Sequence, residues 1–174
     1  LYSENLCRDL RKLVDHYNFI VHNYFPPPQD PFVLNLASLN DEIFMKSYKH
    51  IKDSIVLASN LKSKYYSFHA GFLVDPKVSE LGKTVHKRNL FDKTESLNKF
   101  LEAINSLSKF ATKNNIQLLI ENNVLNNSNL ERFSQNPLLM VDIHDTEFIL
   151  ENMDSNIGLL IDVAHLKVSS TTLN

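Results

Sequence analysis

Four short apolar runs, each stopping at a side chain able to bind a metal or move a proton, constrain the fold of this chain more than any other feature. They occupy residues 19–22, 65–69, 116–121 and 157–162 and end at His22, His69, Glu121 and Asp162, with His165 just beyond the last. The run Ile157-Gly158-Leu159-Leu160-Ile161, entered from the turn-forming Asp154-Ser155-Asn156, reads as a parallel strand covered on both faces. Alternation along a strand puts Asp162 on the face of Leu160 and Gly158, so the chain must leave the strand and turn near Ala164 for His165 to reach the same cavity. A single Asp-x-x-His is weak evidence, because an aspartate after a strand is more often a helix cap or turn former. Four such endings in one chain argue for a shared site.

The segments between the runs read as helices and loops. Leu6, Leu10, Leu13 and Val14 give an amphipathic helix over residues 1–17. Tyr24-Phe25-Pro26-Pro27-Pro28 ends the first strand near His22, since proline has no N–H to give to a ladder. Ser38 or Asn40 caps a second helix running to Leu61, with Asp41 and Glu42 at its positive end. Thr94-Glu95 opens the strongest helix, carried by Leu97, Phe100, Leu101, Ile104, Leu107, Phe110 and Ala111 and stopped by Asn114-Asn115. Residues 122–129 read as a loop, 130–135 as a short helix, and 146–153 as a helix capped by Asp145. Residues 75–93 have too many charges and too little periodicity for core and read as a long surface loop or lid beside His69. Its basic run of Lys83, His86, Lys87 and Arg88 is a solvated face or, in a functional reading, a contact for a substrate phosphate.

Helix and strand alternate as expected for right-handed βαβ units with long loops. A doubly wound nucleotide-binding sheet wants a glycine-rich turn after its first strand, yet the chain has only 3 glycines, none in a G-x-G-x-x-G pattern. A barrel instead wants functional side chains at the C-terminal ends of several strands, and this chain has them. The expected fold class is therefore α/β, a (β/α)8 TIM barrel that is partial here, with about four βα units of parallel strands. Residues 1–174 are expected to form a single domain. A whole barrel takes about 250 residues, so this reading is short by roughly three or four βα units. It leaves two strand edges open to pairing with another copy as a homo-oligomer, to aggregation, or to a missing remainder.

Composition narrows the partners. With a formal net charge of -2 the chain has no global basic field, which argues against nucleic acid. The single Cys7 cannot form an internal disulfide and fits a reducing, cytoplasmic setting. No stretch approaches the roughly 20 apolar residues that span a bilayer, and no signal peptide opens the chain, so no membrane partner is expected.

The ordered set of His22 with Asn35-Leu36-Ala37-Ser38, then His69-Ala70-Gly71, Glu121-Asn122-Asn123 and Asp162-Val163-Ala164-His165, resembles the xylose isomerase-like barrel superfamily. That superfamily holds sugar phosphate isomerases and epimerases and the endonuclease IV type of abasic-site endonucleases. The resemblance covers nearly the whole chain. It implies that Glu121 and Asp162 bind a divalent metal, together with a histidine and a second glutamate from later strands that lie outside these residues. In the isomerase branch it implies substrate contacts from His22, His69 and His165. In the endonuclease branch the same three histidines are implied as ligands of a zinc cluster.

The function so implied is that of a metal-dependent sugar or sugar phosphate isomerase or epimerase. A proton is taken from carbon next to a carbonyl and returned elsewhere through a metal-stabilised enediolate. A lone carboxylate is a weak base for a C–H bond, and a divalent ion on the substrate oxygens lowers that demand. Glu121 would act as acid/base and His165 would orient a hydroxyl. Oxygen ligands favour Mn²⁺ or Mg²⁺, and joining the histidines admits Zn²⁺. The alternative is zinc-dependent phosphodiester hydrolysis of abasic DNA with Glu121 bridging two ions, which would want a basic crescent for bent DNA that the loops do not clearly supply. A second alternative is an inactive barrel serving as a binding module.

Overall fold

The computed structural model describes residues 4–173. Four parallel strands, β1 (Val21–His22), β2 (Tyr65–His69), β3 (Gln117–Glu121) and β4 (Ile157–Leu160), form one sheet in sequence order. Helices α1 (Glu4–Arg11), α2 (Asp41–Asn60), α3 (Lys93–Lys113), α4 (Asn127–Phe133), α5 (Ile143–Asn152) and α6 (Val163–Leu173) intervene or follow. This strand–helix order with all-parallel neighbours is an α/β fold and a partial TIM barrel, as the sequence predicts.

The helix-facing side of the sheet is the core. Tyr66, Phe68, Leu118 and Ile120 are fully buried there, together with Ile51 and Ile55 of α2 and Phe100, Ile104 and Leu107 of α3. Those helical positions recur at three- and four-residue intervals, which keeps one stripe of each helix on the sheet. Asn40 caps α2 by accepting from the Glu42 and Ile43 amides, and Asp92 caps α3 by accepting from Glu95 N. The opposite face takes every second residue of each strand. Register pairs His22 with Ser67 and His69 with Glu121, so strand parity collects the ionisable endings on that face.

Several local expectations need correction. The first helix ends at Arg11 and gives way to turns through His16, while the predicted start at Leu1 to Ser3 lies outside the described residues. Strand β1 spans only Val21 and His22, and Ile20 is exposed rather than part of it. Asp142, not Asp145, caps α5 by accepting from Asp145 N. Asp145 is buried and its carboxylate pairs with Lys93 Nζ at 2.7 Å. Helix α4 starts at Asn127, within the stretch expected to be loop, with Asn126 as its cap. Strand β4 lies at the sheet edge and is only partly covered on Gly158 to Leu160, not buried on both faces. The chain turns at Asp162, earlier than Ala164, because Asp162 Oδ1 accepts from His165 N and opens α6, a helix the apolar pattern did not predict.

The segment after β2 is an irregular, mostly exposed stretch, as expected, but it is anchored from within. Residues 75–93 contain a short 3-10 turn, Val78–Glu80, and supply Val85 to a small cluster with Val74 and Phe133. Glu80 is 3% exposed. Its carboxylate accepts from Lys77 N and His86 N and from the Arg88 guanidinium, whose contacts measure 2.7 and 3.0 Å, and His86 Nδ1 lies against it as well. Arg88 also donates to Asp75 O. Two members of the predicted basic run are therefore committed to an internal carboxylate.

Gly71 shows how tightly the loops close over the strand ends. A Cβ built there would lie 2.3 Å from Ala37 Cβ and 3.1 Å from Ala37 N, so loop backbone must move to admit it. Gly71→Ala is expected to cost about 1–3 kcal/mol, read as a lowered midpoint with unchanged slope in urea unfolding. An unchanged midpoint would show that the two loops separate freely.

Candidate metal centre

Each predicted site residue leaves its element where the backbone stops being regular. His22 and His69 are the last residues of β1 and β2, Glu121 is the last of β3, Asp162 follows β4, and His165 sits in the first turn of α6. The structure brings all five together. Glu121 Oε2 lies 3.3 Å from His22 Nε2 and 3.3 Å from His69 Nδ1, while Oε1 lies 3.6 Å from His165 Nδ1. His165 Nε2 is 3.7 Å from Asp162 Oδ2. Two donor triads result, His22–His69–Glu121 and Glu121–Asp162–His165, with Glu121 common to both.

Asparagines that sequence reading did not assign fix the histidine tautomers. Asn23 accepts from His69 N through Oδ1, which turns its Nδ2 toward His22 Nε2 at 3.1 Å. His22 Nε2 is thereby the acceptor, and Nδ1 carries the proton donated to Ser67 Oγ at 2.9 Å. His165 Nδ1 donates to Asn122 O at 2.9 Å, leaving the Nε2 lone pair free. Asn122 also accepts from Asp162 N at 2.7 Å and donates to Asp162 O, tying the end of β3 to the start of α6. The signal for these roles was the asparagine placed directly after a strand-end acid or histidine.

Electrostatics at the site oppose charge on His22, His69 and Glu121. Burial lowers the pKa of His22 and takes that of His69 down to about 4, with His22 and His165 adding to the effect on His69. Burial also pushes the Glu121 carboxyl up from its ordinary value, partly offset by His165. Asp162 is held below its usual range by the His165 backbone amide. Glu121 Oε2 and His69 Nδ1 are buried without hydrogen-bond partners. These two partnerless atoms lie 3.3 Å apart. Buried polar atoms normally find partners, and lone pairs converging without one are what a cation resolves. The donor set fits a divalent metal.

A cavity of about 280 Å³ opens from His69 and His165 toward the loops after β2 and β3. Asn123 braces its floor by donating to Ala70 O, Gly71 O and Leu139 O. Asn35 does the same one loop away, donating to Phe72 O, Val74 O and Asp75 Oδ1 while its own Oδ1 accepts from Ala37 N and Phe72 N.

With strand order, site position and donor set in view, comparison with known proteins is decisive for the family. The family model described as xylose isomerase-like TIM barrel matches residues 1–171. The chain belongs to that family. Among solved structures this xylose isomerase-like chain is similar to a D-tagatose 3-epimerase-like protein, at 22% identity and TM-score 0.66, over 94% of this chain and 52% of that one. It is similar to a Thermus thermophilus protein soaked with zinc chloride, at 19% identity and TM-score 0.61, over 95% and 54%. It also resembles endonuclease IV from Thermus thermophilus, at 14% identity and TM-score 0.55, over 95% and 48%. At these identities the likeness shows the fold. The chain spans about half the length of each. No curated protein matches it.

Proposed function

We propose that this chain, with residues 1–174 as a single domain, carries the metal-binding and proton-transfer residues of an isomerase or epimerase of sugars or sugar phosphates, acting in the cytoplasm. The observation that carries this reading is the cavity of about 280 Å³ running directly from His69 and His165, at the small-molecule end of ligand pockets. Glu121 and Asp162, with the histidines, would hold a divalent ion. Such an ion supplies positive charge against the oxyanion that develops when a proton leaves carbon beside a carbonyl. Glu121, its carboxyl pushed up by burial, moves toward the basicity that such a proton transfer needs. His165 Nε2, kept as a lone pair by the Nδ1–H bond to Asn122 O, accepts a substrate hydroxyl and orients it. Neutral His69 adds no charge that would compete with the ion.

The second reading, metal-cluster hydrolysis of a phosphodiester, is favoured by the His22–His69–Glu121 triad and its shared carboxylate. Against it, His86 and Arg88 are bound to Glu80 and offer no basic crescent.

Elemental mass spectrometry on the natural full-length protein separates the two when paired with substrate assays. One metal equivalent, lost in Asp162→Asn and accompanied by conversion of ketohexoses or their phosphates, supports the isomerase. More than one zinc equivalent, reduced in His22→Ala and accompanied by chelator-sensitive nicking of abasic DNA, supports the hydrolase instead. Absence of any metal after loading would refute both and leave a binding module.

A further inference from the structure

The cavity beside His69 and His165 differs chemically at its two ends. Near the histidines it is polar. Farther out its walls are Phe72, Val74, Leu81, Val85 and Leu138. Several polar atoms on this outer lining are already engaged with the protein, including Asn126 Oδ1, which accepts from Asn129 N. Glu80 accepts from two backbone amides and Arg88, Asn129 Oδ1 accepts from Val85 N, and the Asn123 amide group donates to three carbonyls. Lys83 is the one lysine or arginine among the described lining residues, and it stands in solvent. The wall that carries these residues is not a loose flap. Glu80 fastens it from within, and Val74, Val85 and Phe133 give it a core.

Resting on the sugar reading above, we infer that this outer chamber receives the end of the sugar remote from the reacting carbon, and that the preferred substrate is unphosphorylated and apolar there, as in a terminally deoxygenated ketose. A terminal phosphate would enter a chamber that offers a single solvated ammonium among its described lining residues and carries the Glu80 carboxylate in its wall. Placing a dianion against apolar side chains and a buried carboxylate is unfavourable. A terminal methyl group meets four aliphatic side chains and a phenyl ring instead. Replacing the terminal hydroxyl by hydrogen adds apolar contact with these walls.

Calorimetric binding to the manganese-loaded full-length protein tests this, using the D-2-ketohexoses, their 6-deoxy forms and their 6-phosphates as probes. The deoxy form of the best-bound sugar is expected to bind at least about 4-fold tighter than its parent, and the phosphate more weakly than the parent. Leu81→Asp places a carboxylate on the wall at a side chain already 42% exposed, where folding is little at risk. It should erase the deoxy preference, while Lys83→Met should leave the ranking unchanged. Tightest binding of the phosphates, lost in Lys83→Met, would overturn the inference and leave the sugar reading standing. Equal binding of all three forms would do the same. Failure of every probe to bind a protein shown to hold metal would overturn both.

Discussion

Glu121→Gln is expected to empty both donor triads at once and, in chelator, to make the protein more stable. The carboxylate is the only group common to His22–His69–Glu121 and Glu121–Asp162–His165 among the described residues, so neither triad keeps three ligands without it. Loss of supporting residues around a metal typically costs 10–100-fold in affinity, and loss of this shared ligand should exceed about 100-fold. The stability effect has the opposite sign. Glu121 Oε2 is buried with no hydrogen-bond partner, 3.3 Å from the equally unpartnered His69 Nδ1. A glutamine amide in that place removes an unpaired buried charge. A gain of about 1 kcal/mol would raise the melting temperature by about 2–4 °C. Metal titration and thermal melts in chelator read the two effects separately. A variant that still binds metal tightly, or that melts lower than the parent in chelator, would refute the assignment of Glu121 as the shared ligand.

Glu80→Gln should be strongly destabilising although it lies away from the donor triads. Breaking a buried ion pair from one side costs about 3–5 kcal/mol, because Arg88 is left without its counter-charge. For a chain of this size that corresponds to a fall of about 6–20 °C in melting temperature. The same carboxylate sets an acid limit. Burial alone would raise its pKa, but the amides of Lys77 and His86, with the His86 and Arg88 side chains, outweigh burial and hold it at about 2. The folded value lies below the unfolded value, so its contribution is fully present above the ordinary glutamate range and is lost as pH falls toward about 2. Wild-type protein should lose stability steeply across that window, and Glu80→Gln should show a shallower slope there. Identical slopes would mean that the carboxylate is solvated rather than gripped.

Legibility of the fold tracked the range of the interactions that make each part. The strands could be read because apolar runs ending in a charge are local in sequence. The site followed from strand parity, which needs only the count from Glu121 back to Leu119 and from Asp162 back to Leu160. Helices α2 and α3 could be read from their periodic stripes. The wall after β2 could not, because its order comes from one buried glutamate and from Val85 meeting Phe133 across a long stretch of chain. Counting charges there gave the surface loop but not its anchor, because Glu80, His86 and Arg88 pair with one another. The α5 start was misplaced because Asp142 and Asp145 are equally good caps by type. Only the ion pair to Lys93 takes Asp145 out of the role. Helix α6 was missed because the Asp162 that caps it was read first as a ligand, and the structure lets it serve the backbone through Oδ1 while Oδ2 faces His165.

The two bracing asparagines have a consequence for anyone wishing to retune this scaffold. Asn35, after β1, holds backbone on both sides of Phe72, and Asn123, after β3, holds Ala70, Gly71 and Leu139. Three successive loops are therefore stitched into one plate, and their amides should exchange with solvent in a single cooperative opening rather than loop by loop. Grafting one loop from another protein would cut those stitches from one side and loosen its neighbours. Altered specificity on this framework has to be transplanted as the whole plate, asparagines included.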